Sequence, residues 1–243
     1  MTMRYNNIHH DFIHTSALTV MNEAVNACSG IGFGMSTYPL KNYLFQSLFL
    51  RLTGFQEQKL KCICWTLATY DFDYRRTLLK DDDHLGEYSS FDSKTKVYSR
   101  LLGIIEKIKS HSFEIHEILD KTAIRQYAEG SITNIFQKTS FEIWAPEEFA
   151  AFKKNNGLFK ENHFCTDPNT LLQASLQEIY TELYNQRNRC AHNTLSYQDN
   201  LPSFKTLEKG VFYGNYFVWY ALLLLLDKIF MDLFDEYERC LIR

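Results

Sequence analysis

A chain of 243 residues with 19 Phe, 15 Tyr and 3 Trp can bury a substantial core, and 4 Pro and 10 Gly are too few breakers for an architecture of many short strands. The formal net charge of −3 excludes a general polyanion binder, so any nucleic-acid contact must come from a small local basic site. The six cysteines, Cys28, Cys62, Cys64, Cys165, Cys190 and Cys240, are too sparse for a disulfide framework and fit a reducing cytoplasm. Cys62-x-Cys64 lacks a second Cys/His pair at zinc-ligand spacing, so it reads as buried structural thiols.

Residues 1–15 are polar and carry His9, His10 and His14. Three histidines so close would suit a metal ion, but a frayed terminus or the cap of a first helix is the simpler reading. No charged-then-apolar leader pattern is present. Residues 16–28 have helical character. Gly30-Ile31-Gly32-Phe33-Gly34 invites a nucleotide-loop reading. That reading needs a preceding strand and a βαβ unit, so the run is taken as a loop ending near Pro39. From Leu40 to about Tyr74 the apolar spacing is helical, through Leu44, Leu48, Leu52 and Phe55 and then Leu60, Ile63, Cys64, Leu67 and Ala68, with a kink or break expected at Gly54. Glu57 and Lys59 on this stretch could reach a site across a bundle, but a solvated helix face is expected for them.

Asp81-Asp82-Asp83-His84 opens an acidic loop without an EF-hand pattern and is expected to stay solvated rather than to hold a metal. Helical spacing returns from Lys94 to Lys109 through Val97, Leu101, Ile104, Ile105 and Ile108, and again from Ser112 to Gln126. Residues 128–165 are mixed. Ser131 to Ile135 holds β-branched residues without a partner strand, Ala145-Pro146-Glu147-Glu148 starts a helix, and Lys153 to Gly157 stops one. A small insertion or accessory helices, forming a lid or an RNA-contacting surface, is expected there. Asp167-Pro168-Asn169 is expected to cap a long helix with the buried stripe Leu171, Leu172, Leu176, Ile179, Leu183 and Tyr184. Asn193 to Ser203 is polar and turn-rich, and a last helix is predicted from about Leu207 to Ile242. Its apolar run Val211 to Leu226 is 16 residues long and contains Asn215. A membrane span wants about 20 apolar residues, which makes this a core or interface helix. With Phe212, Tyr216, Trp219 and Leu222 to Leu226 on several sides, it is more apolar than one buried face requires. The whole reads as one all-α domain over 1–243, a helical bundle with a small mixed insertion at about 128–165.

The chemistry concentrates in Gln186-Arg187-Asn188-Arg189-Cys190-Ala191-His192-Asn193. Arginine can hold a phosphate with two parallel hydrogen bonds, and histidine can exchange a proton near neutrality. Together they suffice for metal-free cleavage of an RNA backbone. Residues five apart on an α-helix differ by about 140° around the axis, so Arg187 and His192 do not share a face, whereas Asn188 and His192 do. Either Arg187 wraps round, the helix loosens, or two protomers share the site. The competing reading makes Arg187 and Arg189 helix-end cations and His192 a cap.

Arg187-Asn188-x-x-Ala191-His192 resembles the signature of the HEPN superfamily (higher eukaryotes and prokaryotes nucleotide-binding domain), in the form common among its bacterial defence and toxin members. The resemblance is sharp over about residues 170–200 and softer over the flanking helices. It implies an all-helical bundle, a homodimer whose paired motifs meet in a cleft, and a metal-independent endoribonuclease of toxin or antiviral type. Arg187, Asn188 and His192 would be catalytic and Arg189 would bind RNA. The 2′-hydroxyl of the RNA would be the nucleophile, with no cofactor or metal. The implied partners are the RNA substrate, a second copy of the chain and an antitoxin or regulatory protein, with no membrane. A catalytically silent HEPN module that binds RNA or nucleotide, and a structural dimerisation protein, remain as alternatives.

Overall fold

The computed structural model describes residues 8–32, 34–80, 87–110, 113–155, 157–192 and 214–242; at 35, 38, 80 and 192 it describes the backbone alone. Among them are α1 (Ile8–His14), α2 (Ala17–Cys28), α3 (Tyr38–Tyr70), α4 (Phe72–Lys80), α5 (Phe91–Lys109), α6 (Lys121–Phe136), α7 (Ser140–Trp144) and α8 (Pro146–Lys154). A short hairpin of β1 (Phe164–Asp167) and β2 (Thr170–Leu172) follows, then α9 (Ala174–His192) and α10 (Tyr216–Ile242). The fold is all-α with this one small antiparallel pair among the described residues.

Local chemistry sets the helix starts. Ser16 accepts from the Leu18 amide at 3.2 Å, Ser90 from Ser93 at 3.2 Å, and Asp120 from Ala123 at 2.9 Å, each satisfying an orphan N–H at a helix N-terminus. Pro39 and Pro146 sit in the first turns of α3 and α8, where a missing N–H costs nothing. α3 runs unbroken for 33 residues, so Gly54 does not interrupt it. A single glycine costs a helix about 1 kcal/mol against alanine, which a long packed helix absorbs.

α10 is the axis of the molecule. Every residue from Phe217 to Asp227 is buried, and α2, α3, α5, α6, α8 and α9 all pack against it. A helix apolar all round belongs inside a core, so the surplus apolar surface of the last helix is covered within one chain. Phe217 meets Phe45 edge-on at 5.6 Å, Phe136 at 5.4 Å and Phe149 at 4.9 Å, and the Tyr220 hydroxyl donates to the Phe45 carbonyl at 2.9 Å. Asn215, the polar residue of the apolar run, caps α10. Its Oδ1 accepts from the Phe217 amide at 2.9 Å, and its Nδ2 donates to the Glu148 carbonyl at 2.6 Å. No described helix is long and apolar enough to cross a membrane.

The segment 128–165 holds the expected accessory helices, α7 and α8, the latter starting at Pro146 and ending at Lys154. Ser131 to Ile135 lies inside α6, which lines α10 as a core layer rather than a lid. Asp167-Pro168-Asn169 does not cap a helix but turns the hairpin, with Asp167 Oδ1 accepting from the Asn169 amide at 2.8 Å. Leu171 and Leu172 are therefore buried strand residues, and α9 begins only at Ala174. Residues 115–117 form a single 3₁₀ turn ahead of α6, where the spacing predicts a continuous helix. Cys28, Cys62, Cys64, Cys165 and Cys240 are buried free thiols and Cys190 is half-buried. The acidic run at Asp81 to His84, the turn-rich segment Asn193 to Ser203, and Leu207 to Phe212 lie outside the described residues.

Candidate functional site

α9 carries Arg187 toward the groove between α3 and the chain entering α5. Its buried stripe Leu176, Ile179, Tyr180 and Leu183 seats the helix, and one turn after Leu183 the same face presents Arg187. The guanidinium sits between two carboxylates, Glu57 of α3 and Glu87, each at 3.6 Å. Its Nη1 also donates to the Asn188 Oδ1 at 3.1 Å. Both carboxylate distances exceed the roughly 2.7–2.9 Å of a tight charge-assisted bond, so the acids orient the arginine without saturating it. Glu57 is the inner partner, with a side chain 16% exposed, and Glu87 the outer one at 62%. Glu57 also takes Lys61 at 2.9 Å, one turn along α3.

The solvated face expected for Glu57 and Lys59 is thus incorrect. Glu57 reaches the Arg187 site across the bundle. Lys59 is 1% exposed, bonds Asp227 at 2.5 Å and donates to the Thr15 carbonyl at 2.7 Å, which closes α1, α2 and α3 onto α10.

Lys94 lies behind Arg187. It is 2% exposed, donates to the Tyr88 carbonyl at 2.9 Å and stands 5.9 Å from the centre of the Tyr180 ring. Burial draws its pKa from 10.5 to about 7; Glu57 opposes this fall and Arg187 adds to it. Tyr180 is pushed well above its usual range by burial, stays a phenol and donates to the Ser89 carbonyl at 2.6 Å. Thr53, Gln56, Ser89, Lys94, Tyr180 and Arg187 surround a cavity of about 10 Å³, the lower limit for one water and too small for a larger ligand.

On the opposite side of α9, Arg189 donates from Nε to Gln186 Oε1 at 2.8 Å, and Gln186 Nε2 donates in turn to the Tyr216 hydroxyl at 3.1 Å. Two positions along a helix are about 200° apart, so Arg187 and Arg189 cannot grip one group together. His192 is the last residue of α9, and its side chain lies outside the described residues. The helix is uninterrupted from Arg187 to His192, which removes the loosened-helix route and leaves the angular offset intact. The structure therefore joins Arg187 with Asn188, sets Arg189 apart, and adds Glu57, Glu87 and Lys94. The signal for Lys94 is present in the sequence: it falls in register with Val97, Leu101 and Ile105, where a lysine must be buried. Glu87 carries no such signal.

Comparison with known protein families, with curated proteins and with solved structures finds no match.

Proposed function

We propose that the chain is a metal-independent endoribonuclease of HEPN type, acting in the cytoplasm as a toxin or antiviral effector. The observation that carries the reading is the state of Arg187. A helix-end cation with no other task would extend into water. This one is four-fifths buried, oriented by Asn188 and by two carboxylates at 3.6 Å, and seated one turn and a half before a histidine. In the proposed reaction a phosphate exchanges with the exposed Glu87 on the outer side of Arg187, while Glu57 and Asn188 keep the guanidinium aimed. Arg187 stabilises the charge that develops on the phosphate oxygens. His192 exchanges a proton with the ribose 2′-hydroxyl or the leaving 5′-oxygen. The RNA supplies its own nucleophile, so DNA is not a substrate.

The 140° offset between Arg187 and His192 makes a site shared by two copies the natural arrangement, and we infer a homodimer with facing motifs. An antitoxin or regulatory protein would then act by covering that face. A silent RNA-binding module is the second reading, favoured by the two carboxylates that already neutralise the arginine.

The test is incubation of purified protein with RNA in excess EDTA. The expected result is cleavage with 2′,3′-cyclic phosphate ends, abolished in His192→Ala and strongly reduced in Arg187→Lys, since lysine lacks the bidentate fork. RNA binding without cleavage would select the silent module, and activity that EDTA removes and a divalent ion restores would overturn the metal-free chemistry.

A further inference from the structure

The far end of the molecule holds a second constellation. α1 presents His10 and His14, four residues apart and so on one face, to Asp235 and Glu238 of α10, three apart on theirs. His10 Nε2 lies 2.9 Å from Glu238 Oε1, and His14 Nε2 lies 3.0 Å from Glu238 Oε2. The other ring nitrogens also face acids: His14 Nδ1 is 3.0 Å from Asp235, and His10 Nδ1 is 3.6 Å from Asp11. The His14 imidazole therefore has a carboxylate against both nitrogens, and His10 has one against Nε2. A neutral imidazole carries one N–H and cannot donate to both. One arrangement answers this without a second proton on His14. On His14, Nδ1–H donates to Asp235, and the Nε2 of each ring turns its lone pair to a cation shared with Glu238. A carboxylate behind a ligating histidine, as Asp235 stands behind His14, is the usual outer shell of a protein metal site.

We propose that His10, His14 and Glu238 bind a divalent metal ion of the zinc class, with Asp235 orienting His14 and a water in the fourth position. His₂Glu is an established donor set for zinc, and two imidazoles with one carboxylate favour zinc, copper or nickel over magnesium or calcium. The three ligand atoms lie within 4.8 Å of one another. Metal–ligand bonds of about 2.0–2.2 Å bring tetrahedral donors to about 3.4 Å, a shift that side-chain rotation supplies. The nearby cations Lys109 and Arg239 pair with Glu236, on another side of α10. Phe234 packs against the His14 ring at 5.7 Å and dries one side of the site. His9 does not join the group; it stacks with Trp65 of α3.

The site is separate from Arg187. Gln186, beside Arg187 in α9, bonds Tyr216 at the start of α10, and Glu238 lies about 33 Å further along that helix. The ion would clasp the first described helix to the last, a stabilising role that does not depend on the proposed ribonuclease activity.

The experiment is zinc titration by calorimetry on full-length, untagged protein stripped with EDTA, with cobalt(II) absorption as a second probe. One equivalent is expected to bind at micromolar concentration or tighter, and cobalt should give the intense visible bands of a four-coordinate ion. His10→Gln, His14→Gln and Glu238→Gln should each weaken binding at least a hundredfold, and Asp235→Asn, which touches only the outer shell, by about 10–100-fold. Zinc should raise the thermal midpoint of the native protein and leave that of His10→Gln/His14→Gln unchanged. If a histidine variant fails to fold by circular dichroism, Glu238→Gln carries the same comparison. Absence of zinc binding in the native protein would reduce the group to ion pairs and overturn the proposal, as would binding that survives intact in the variants.

Discussion

Replacing Lys94 with methionine tests the buried cation behind Arg187 with a sign that can be worked out in advance. The folded pKa, about 7, lies below the unfolded value of 10.5. Between them the unfolded chain holds a proton that the folded chain has released, so stability rises with pH across this window. The full penalty of burying the ammonium applies below pH 7, and none remains above about 10.5. Each pH unit inside the window is worth up to about 1.4 kcal/mol, so from pH 7.5 to 9.5 the native protein should gain roughly 2–3 kcal/mol relative to Lys94→Met. Tyr180 and Tyr220, both raised by burial, act in the opposite sense because they keep protons that the unfolded chain loses, but only above about pH 10, and equally in both proteins. Urea unfolding of the two proteins at pH 7.5, 8.5 and 9.5 reads the difference directly. Parallel pH curves would mean that Lys94 keeps an ordinary pKa and that the space behind Arg187 is wetter than its burial implies.

Lys59→Met should cost about 3–5 kcal/mol, because it strands the Asp227 carboxylate 1% exposed in the core. Asp227→Asn in that background should recover part of the loss, since asparagine can still accept from the Ala17 amide; purely additive denaturant midpoints would refute the coupling. For the shared site, Arg187→Ala and His192→Ala subunits, each inactive alone, should regain some cleavage when mixed. No recovery despite demonstrated subunit exchange would show that each half-site takes both residues from one chain.

The fold class and the long helices follow from periodicity alone, since a stripe at three- and four-residue spacing over 20 or more positions has one physical solution. The differences fall where local chemistry admits two outcomes. Asp-Pro-Asn can start a helix or turn a hairpin, and the two leucines after it suit a strand as well as a stripe; tertiary contact of β2 with α5 decides for the strand. Ser131 to Ile135 carries strand-forming side chains but sits in α6, where burial of Ile132 and Phe136 against the central helix outweighs a propensity of a few tenths of a kcal/mol per residue. The surplus apolar surface of the last helix reads, from its residues alone, as partly sealing the bundle and partly meeting a partner, or as covered by residues 128–165 of the same chain. Six helices of the same chain cover it, so the case for a dimer rests on the geometry of Arg187 and His192.

The candidate site shows what a charge in stripe register means. Gln56 and Lys59 follow Leu52 at helical spacing, and Asp227 follows Leu223 in the same way, so register alone assigns each of them to the core. A buried charge needs an opposite one, and Lys59 and Asp227 answer each other at 2.5 Å. Lys94 satisfies the same register rule and has a different fate. Its hydrogen bond goes to a neutral carbonyl, and the nearest acid, Glu57, is already shared between Arg187 and Lys61. Glu57 is thus the inner carboxylate of both Arg187 and Lys61, and the outer carboxylate of Arg187, Glu87, is the exposed one. On the proposed function, an incoming phosphate would displace Glu87 and leave Glu57 to hold the guanidinium in place.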